Sequence, residues 1–202
     1  DTIGGFNSMI EKEKKLDVDA HVTTVLFNDQ YKMLYNRREL KDVSKMTDKD
    51  YTPGGMTALL DAVGRTIHKM DMVAGIHRKD KGNKVLFVII TDGEENDSKE
   101  YTYADVKKLI KDRQENAGWE FIFLGANIDA AAAAENLGID RDRAVKYKNT
   151  GSGVRANFKA VAELSDSLAK SGRVSDRWKE TVEKDEDDAA DKQSAAVTSH
   201  RR

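Results

Sequence analysis

The sequence contains no cysteine and only one proline. The absence of cysteine excludes disulfide bonds, zinc sites built from thiolates, and thiol nucleophiles. It is compatible with a reducing compartment, and we predict a cytoplasmic location. The single proline is followed directly by two glycines, so it predicts a loop rather than the interior of a helix or strand.

The chain also lacks an excess of charge of either sign and a long apolar run. Lysine and arginine number 34 and aspartate and glutamate 36, so the formal net charge is −2. This near-neutral balance argues against nucleic acid as the main partner. No apolar stretch approaches the roughly 20 residues of a membrane-spanning helix, so we expect no membrane span. A chain of 202 residues is long enough for one domain with a sizeable core.

The most informative stretch is an unbroken apolar run over residues 85–90, which ends at Thr91, Asp92 and Gly93. This run is too short for a buried helix, and it lacks the polar alternation of a strand with one face in water. It therefore predicts a central strand of a parallel sheet that is covered by helices on both faces. Open α/β sheets bind ligands beyond the carboxyl ends of their strands, so Asp92 is a candidate ligand-site residue. The alternative is that Asp92 only forms the turn before Gly93.

A second candidate is Thr57, at the end of the loop DYTPGGMT over residues 50–57. A long amphipathic helix is predicted after this loop, with apolar positions at helical spacing at Leu60, Val63, Ile67, Met70 and Ala74. Thr57 is therefore expected in the first helical turn or at the N-cap, where its hydroxyl either caps the helix or faces a ligand. The pair Gly54 and Gly55 does not form a phosphate loop, because no GKS or GKT follows it.

The rest of the chain completes an α/β pattern. Further helices are predicted over residues 2–15, 102–116, 130–137 and from 151 onwards, and further strands over 18–27, 31–35, 119–124 and 144–147. The pattern predicts one domain over residues 1–172, with an open, mostly parallel, Rossmann-like sheet, helices on both faces and one hairpin strand at an edge. Residues 173–202 include the acidic run EKDEDDAAD and are predicted to form a charged, disordered tail.

The order of these elements over residues 2–171 strongly resembles the von Willebrand factor A domain family. Two local motifs carry the resemblance: GGMT at residues 54–57, which opens a helix, and VIITDG at residues 88–93, which closes a strand. In that family the threonine and the aspartate belong to a metal-ion-dependent adhesion site. The resemblance therefore implies that Thr57 and Asp92 are metal ligands.

The chain departs from the family at the first metal motif, an Asp-x-Ser-x-Ser loop that follows the first strand. Asp1 is followed by Thr-Ile-Gly-Gly, which does not fit that motif. We therefore expect the natural chain to extend upstream by roughly one strand and one loop, about 15 to 25 residues. In such folds that strand lies between the strands predicted at residues 18–27 and 85–90. Without the loop we expect Mg²⁺ or Mn²⁺ to bind weakly or not at all.

The resemblance implies a protein-binding module rather than an enzyme. A Mg²⁺ ion held by Thr57 and Asp92 would offer an open coordination position to an acidic group of a partner protein. The loops predicted to surround this site contain Asn28, Asp29, Gly54, Gly55, Met56, Gly93, Glu94 and Asn127. Two alternatives remain: a metal-free scaffold for protein assembly, and a metal-dependent hydrolase or phosphotransferase that uses the aspartate after the strand.

Overall fold

The computed structural model describes residues 1–16, 18–72, 84–175 and 177–184. The helices are α1 (Thr2–Glu13), α2 (Leu59–Asp71), α3 (Tyr103–Asp112), α4 (Ala130–Leu137) and α5 (Gly151–Ser171). The strands are β1 (His21–Phe27), β2 (Tyr31–Glu39), β3 (Leu86–Thr91), β4 (Glu120–Ala126) and β5 (Ala144–Tyr147).

Three of the strands form an open parallel sheet in the order β3-β4-β5. In its register Leu86 lies opposite Glu120, and Phe123 lies opposite Ala144. The connections from β3 to β4 and from β4 to β5 contain α3 and α4, as parallel neighbours require a helical crossover. The predicted α/β class, with an open parallel sheet and packed helices, is therefore confirmed.

The other two strands form an antiparallel hairpin, in which Phe27 pairs with Tyr31 and His21 pairs with Glu39. Its register shifts on both sides of Thr24, and Arg37 on the opposite strand has a φ of 46°. A bulge of this kind increases the local twist of a strand pair. Within the described ranges, the hairpin is a separate sheet, and no backbone pairing joins β1 to β3.

Side chains alternate between the two faces of the parallel sheet and build a core on each. Phe121 and Phe123 of β4 point into a cluster with α2, α3 and α4, whereas Ile122 and Leu124 point into a cluster with α5. A third cluster lies between the hairpin, α1 and α5, and its buried members include Phe6. Helices therefore cover both faces of the sheet, as the apolar strands predict.

Side chains cap the starts of two helices. Thr102 and Asp105 form a capping box at the start of α3, and Asp129 caps α4 by accepting the N–H of Ala132. The N-cap position of α2 is Ala58, so the prediction that Thr57 occupies the N-cap or the first helical turn is wrong. The physical reason is that a side chain distant in sequence, Glu95, accepts the N–H of Leu60 in place of a local cap.

The packed part of the chain continues beyond the boundary predicted at residue 172. Val174, Trp178 and Val182 are buried in the cluster that α5 forms on the sheet. The spacing of Trp178 and Val182 by four residues is that of one helical face. Residues 185–202, which contain most of the acidic run, lie outside the described residues, as does Ala74.

None of the helices in the described ranges is both long enough and apolar enough to cross a membrane.

Candidate functional site

Asp92 is exposed where β3 ends at the carboxyl edge of the parallel sheet. The preceding residue fixes the turn, because the Thr91 hydroxyl donates to the Gly93 carbonyl at 2.9 Å and accepts the Gly93 N–H at 3.3 Å. Thr91 itself is buried. The strand end therefore holds its threonine inward and presents the Asp92 carboxylate to solvent.

Thr57 lies beside this turn. Its Oγ1 atom is 3.1 Å from the position that a Cβ atom on Gly93 would occupy, so the hydroxyl packs against the residue that follows Asp92. Its backbone is paired with Asn96: the Thr57 N–H donates to the Asn96 Oδ1 at 2.8 Å, and the Asn96 N–H donates to the Thr57 carbonyl at 3.0 Å. The two residues singled out in the sequence are thus brought to one edge of the fold.

The loop after β3 is held on α2 by two carboxylates. The Glu95 Oε2 atom accepts the Leu60 N–H at 2.9 Å, next to the positive end of the helix dipole. The Asp61 carboxylate accepts three backbone N–H groups, from Lys99 at 3.0 Å and from Glu100 and Tyr101 at 2.9 Å each. These contacts fix the loop that places Asp92 and Thr57 together.

Asp61 is buried, and its pKa reflects two opposing effects. Burial by itself raises the pKa of a carboxyl group, whereas the three backbone N–H donors stabilise the charged form. The donors outweigh burial, so the pKa of Asp61 is lowered from its ordinary value. The group is therefore an ionised anchor of the loop at neutral pH.

The β1–β2 turn forms one side of the predicted rim. The Asn28 Nδ2 group donates to the Gly54 carbonyl at 2.9 Å, and the Asn28 carbonyl accepts the Ala58 N–H at 2.8 Å. Gly55 has a φ of +95°, and a Cβ there would meet the side chains of Asn28 and Asp29 at 2.7 Å. Only glycine fits this close approach without strain. The hairpin turn and the glycine loop are therefore a single unit beside Thr57.

The remaining rim residues are accessible. Met56 is 50% exposed, and Glu94 and Asn127 are also exposed. Asn127 follows β4 with a φ of 57°, one strand along the sheet from Asp92. Glu94 and Asn127 follow adjacent parallel strands, so both lie at the carboxyl edge of the sheet.

Asn149 is a site residue that the sequence reasoning missed. Its Nδ2 group lies 3.3 Å from the Asp92 Oδ2 atom, so the β5–α5 connection also reaches the site. Tyr147 lies at the end of β5, two residues before Asn149. Burial raises the pKa of Tyr147, and the charge of the nearby Asp92 carboxylate raises that pKa further. The sequence signal was available, because Asn149 follows a predicted parallel strand at the same sheet edge.

A magnesium ion prefers six oxygen ligands in octahedral geometry, and the oxygens of Thr57 and Asp92 can be compared with this requirement. Thr57 supplies one hydroxyl, and Asp92 supplies a carboxylate that Asn149 already contacts. In the part of the chain that is described, no group of three or more carboxylate, imidazole or thiolate side chains could hold a metal ion. The described residues therefore contain no metal centre built from such side chains, and weak binding at Thr57 and Asp92 remains a prediction.

Comparison of the chain with protein-family models, with curated proteins and with solved structures gives no match.

Proposed function

We propose that this chain is a protein-binding module whose binding surface is the carboxyl edge of the sheet around Asp92 and Thr57. The observation that supports the proposal is the exposed Asp92 carboxylate, which precedes the glycine that the Thr57 hydroxyl packs against, on a loop that Asp61 and Glu95 hold on α2. An anchored loop that presents an unburied charge is typical of a recognition surface on a rigid scaffold.

In the first form of this proposal, a divalent cation bridges the chain and its partner. Mg²⁺ would be held by the Asp92 carboxylate and the Thr57 hydroxyl, and it would supply a coordination position for an acidic group of the partner. Because these residues bring a single negative charge, we expect a dissociation constant on the order of 10⁻³ M or weaker. The partner would then be selected by the surrounding rim, where Met56 offers apolar contact and Asn127 offers an amide.

In the second form of the proposal, the chain binds its partner without a metal ion, and a separate observation favours this form. Asn149 already donates to the Asp92 carboxylate at 3.3 Å, so protein groups alone can satisfy part of this charge. In this form the partner donates hydrogen bonds to Asp92 directly. A partner with an N–H or guanidinium donor would then replace a partner with a carboxylate.

Manganese titration followed by NMR tests the cation form. We expect paramagnetic broadening to begin at the amides of Thr57, Asp92, Gly93 and Asn149, and Asp92→Asn to abolish that localised broadening. Asp29→Asn is the matched control, because Asp29 is an exposed carboxylate on the rim that is not part of the pair. Broadening that starts elsewhere, or that survives Asp92→Asn unchanged, would contradict the cation form.

Partner capture with and without EDTA then separates the two forms. Capture that EDTA abolishes supports the cation form, and capture that persists in EDTA but is lost in Asp92→Ala supports the scaffold. Capture that is unaffected by Asp92→Ala and by Thr57→Val would place the binding surface elsewhere and overturn the proposal.

A further inference from the structure

A small cavity lies between the hairpin turn, α2 and the loop after β3, and we call it the hairpin cavity. Its volume is about 130 Å³, and its walls include Phe27 and Tyr31 from the hairpin and Ala62 from α2. A cavity of about 150 Å³ can hold one benzene molecule, whereas sites for cofactors or drug-sized ligands occupy about 300–1,000 Å³. The hairpin cavity therefore has room for one planar group and not for a nucleotide or a cofactor. Neither Asp92 nor Thr57 lines it, so it is distinct from the edge proposed above.

The charge of the wall sets the sign of a ligand. The charged side chains that line the cavity are four carboxylates and two basic groups: Asp29, Asp61, Asp97, Glu100, Arg65 and Lys99. The wall therefore carries two more negative charges than positive ones at neutral pH. This excess attracts a cation and repels an anion. In the part of the chain that the structure covers, these carboxylates do not converge into a group of three that could hold a metal ion. An organic cation is therefore the better fit.

The two basic groups of the wall differ in how they are paired. Arg65 donates to both carboxylate oxygens of Glu100, at 2.8 and 2.6 Å, so the charges of this pair compensate each other. The Lys99 ammonium lies 3.7 Å from the Asp97 Oδ1 atom, which is too far for a hydrogen bond, and the lysine side chain is 79% exposed. Lys99 can therefore move away from Asp97 when another cation arrives.

Two carboxylates of the wall keep acceptor positions for a ligand. Asp61 is not one of them, because it already accepts three backbone N–H groups. The Asp97 side chain is only 23% exposed and has the long contact with Lys99, and Asp29 is exposed in the β1–β2 turn. These two carboxylates belong to different walls, the loop after β3 and the hairpin turn. A ligand between them therefore needs several N–H donors that point in different directions.

Aromatic rings complete the wall on the hairpin side. The Tyr31 hydroxyl is hydrogen-bonded to the Thr66 hydroxyl at 3.1 Å, which holds the ring in place. The same ring already attracts two cations, with the Arg65 guanidinium carbon 5.8 Å and the Lys69 ammonium 5.3 Å from its centroid. A guanidinium group stacks its plane on an aromatic ring and carries five N–H donors in a fork, whereas an ammonium is a point charge. The aromatic wall and the separated carboxylates therefore favour a guanidinium.

We propose that the hairpin cavity binds a guanidinium group, which donates to Asp29 and Asp97 and packs against the wall formed by Phe27 and Tyr31. The volume of the cavity admits this planar group, and the rest of the ligand stays outside. The same group occurs in small arginine-like molecules and in the arginine side chains of proteins, and the experiment below separates these two sources. The inference goes beyond the function proposed above, since it requires neither a metal ion nor Asp92.

NMR titration of the full chain in EDTA tests this inference. The probes are acetyl-Ala-Arg-Ala-amide and the same peptide with citrulline, which keeps the shape but not the charge, or with lysine in place of arginine. We expect the arginine peptide to shift the amides of Tyr31, Ala62 and Asp97 saturably, and the other two peptides to bind at least tenfold more weakly. Methylguanidinium chloride separates the sources. Affinity equal to that of the arginine peptide indicates recognition of the free group, whereas tighter binding of the peptide indicates an arginine side chain of a protein.

Variants of the two carboxylates provide a second readout. Asp97→Asn and Asp29→Asn should each weaken binding of the arginine peptide at least fivefold, because each removes a charged acceptor and keeps the shape of the side chain. Asp48→Asn is the matched control, because Asp48 is an exposed carboxylate that does not line the cavity. Equal binding of the citrulline or lysine peptide, unchanged binding in both cavity variants, or no saturable shift at the cavity would overturn the proposal. Shifts centred on Asp92 would place the guanidinium at the sheet edge instead, which would also overturn it.

Discussion

β3 and β4 are neighbouring strands with similar apolar sequences, yet they differ in burial. Phe121, Ile122, Phe123 and Leu124 of β4 are 0–1% exposed, whereas only Ile89 and Thr91 of β3 are buried. β4 pairs with β3 on one side and β5 on the other, whereas β3 pairs on one side alone among the residues that the structure describes. The comparison shows that helices covering both faces do not complete the burial of a strand whose second edge is free.

The largest expected effect tests that comparison directly. Phe123→Ala in β4 should reduce the free energy of unfolding by about 3–5 kcal/mol, because it leaves a fully enclosed cavity. Phe87→Ala in β3 should cost about half as much, since Phe87 is only partly buried. Urea denaturation of both variants measures the difference. An equal loss at the two positions would show that the free edge of β3 is closed in solution.

The loops that follow the two strands can be compared in the same way. Asp61 accepts three backbone N–H groups of the loop after β3, whereas Asp129 caps α4 after β4. Asp61→Asn should lower the free energy of unfolding by about 1–3 kcal/mol at pH 7, because a charged acceptor is lost. Asp129→Asn should change it little, since asparagine and aspartate are similar N-caps. Urea denaturation at pH 7 measures both.

The pH dependence of the Asp61→Asn effect tests the same contact further. The pKa of Asp61 is lowered in the folded chain, so its stabilising effect is complete above the ordinary value of 3.8 and is lost as the pH falls below it. The stability difference between the wild type and Asp61→Asn should therefore narrow on acidification below pH 3.8. A difference that stays constant through that range would show that the carboxylate charge is not what the backbone groups recognise.

The sequence predicted a central strand over residues 85–90 and a further strand over residues 119–124, because both segments are apolar runs. Periodicity reports which faces are covered, but it does not report whether each edge has a partner, since strand pairing is non-local. The site shows the same limit. Thr57 and Asp92 were found from local motifs, whereas Glu95 takes over the capping of α2 from 35 residues away and Asn149 reaches Asp92 from 57 residues away.

The capping box of α3 provides a smaller test, because α3 connects β3 to β4. Thr102→Ala removes the hydroxyl that accepts the Asp105 N–H at 3.3 Å, and it should cost about 1 kcal/mol. Since α3 connects the two strands, the protection of backbone amides from hydrogen exchange should fall by the same factor in β3 and β4. A change confined to β3 would mean that the two strands do not unfold as one unit.

The smallest expected effect comes from an ion pair on the loop that Asp61 also holds. Arg65 on α2 donates to both carboxylate oxygens of Glu100, at 2.8 and 2.6 Å, but both side chains are at least one-third exposed. Glu100→Gln should therefore lower the free energy of unfolding by less than about 1 kcal/mol, and the loss should shrink in high salt. Denaturation at low and high ionic strength measures it. A loss as large as that of Asp61→Asn, insensitive to salt, would show that the loop after β3 is more enclosed than its exposure indicates, and would weaken the contrast between β3 and β4.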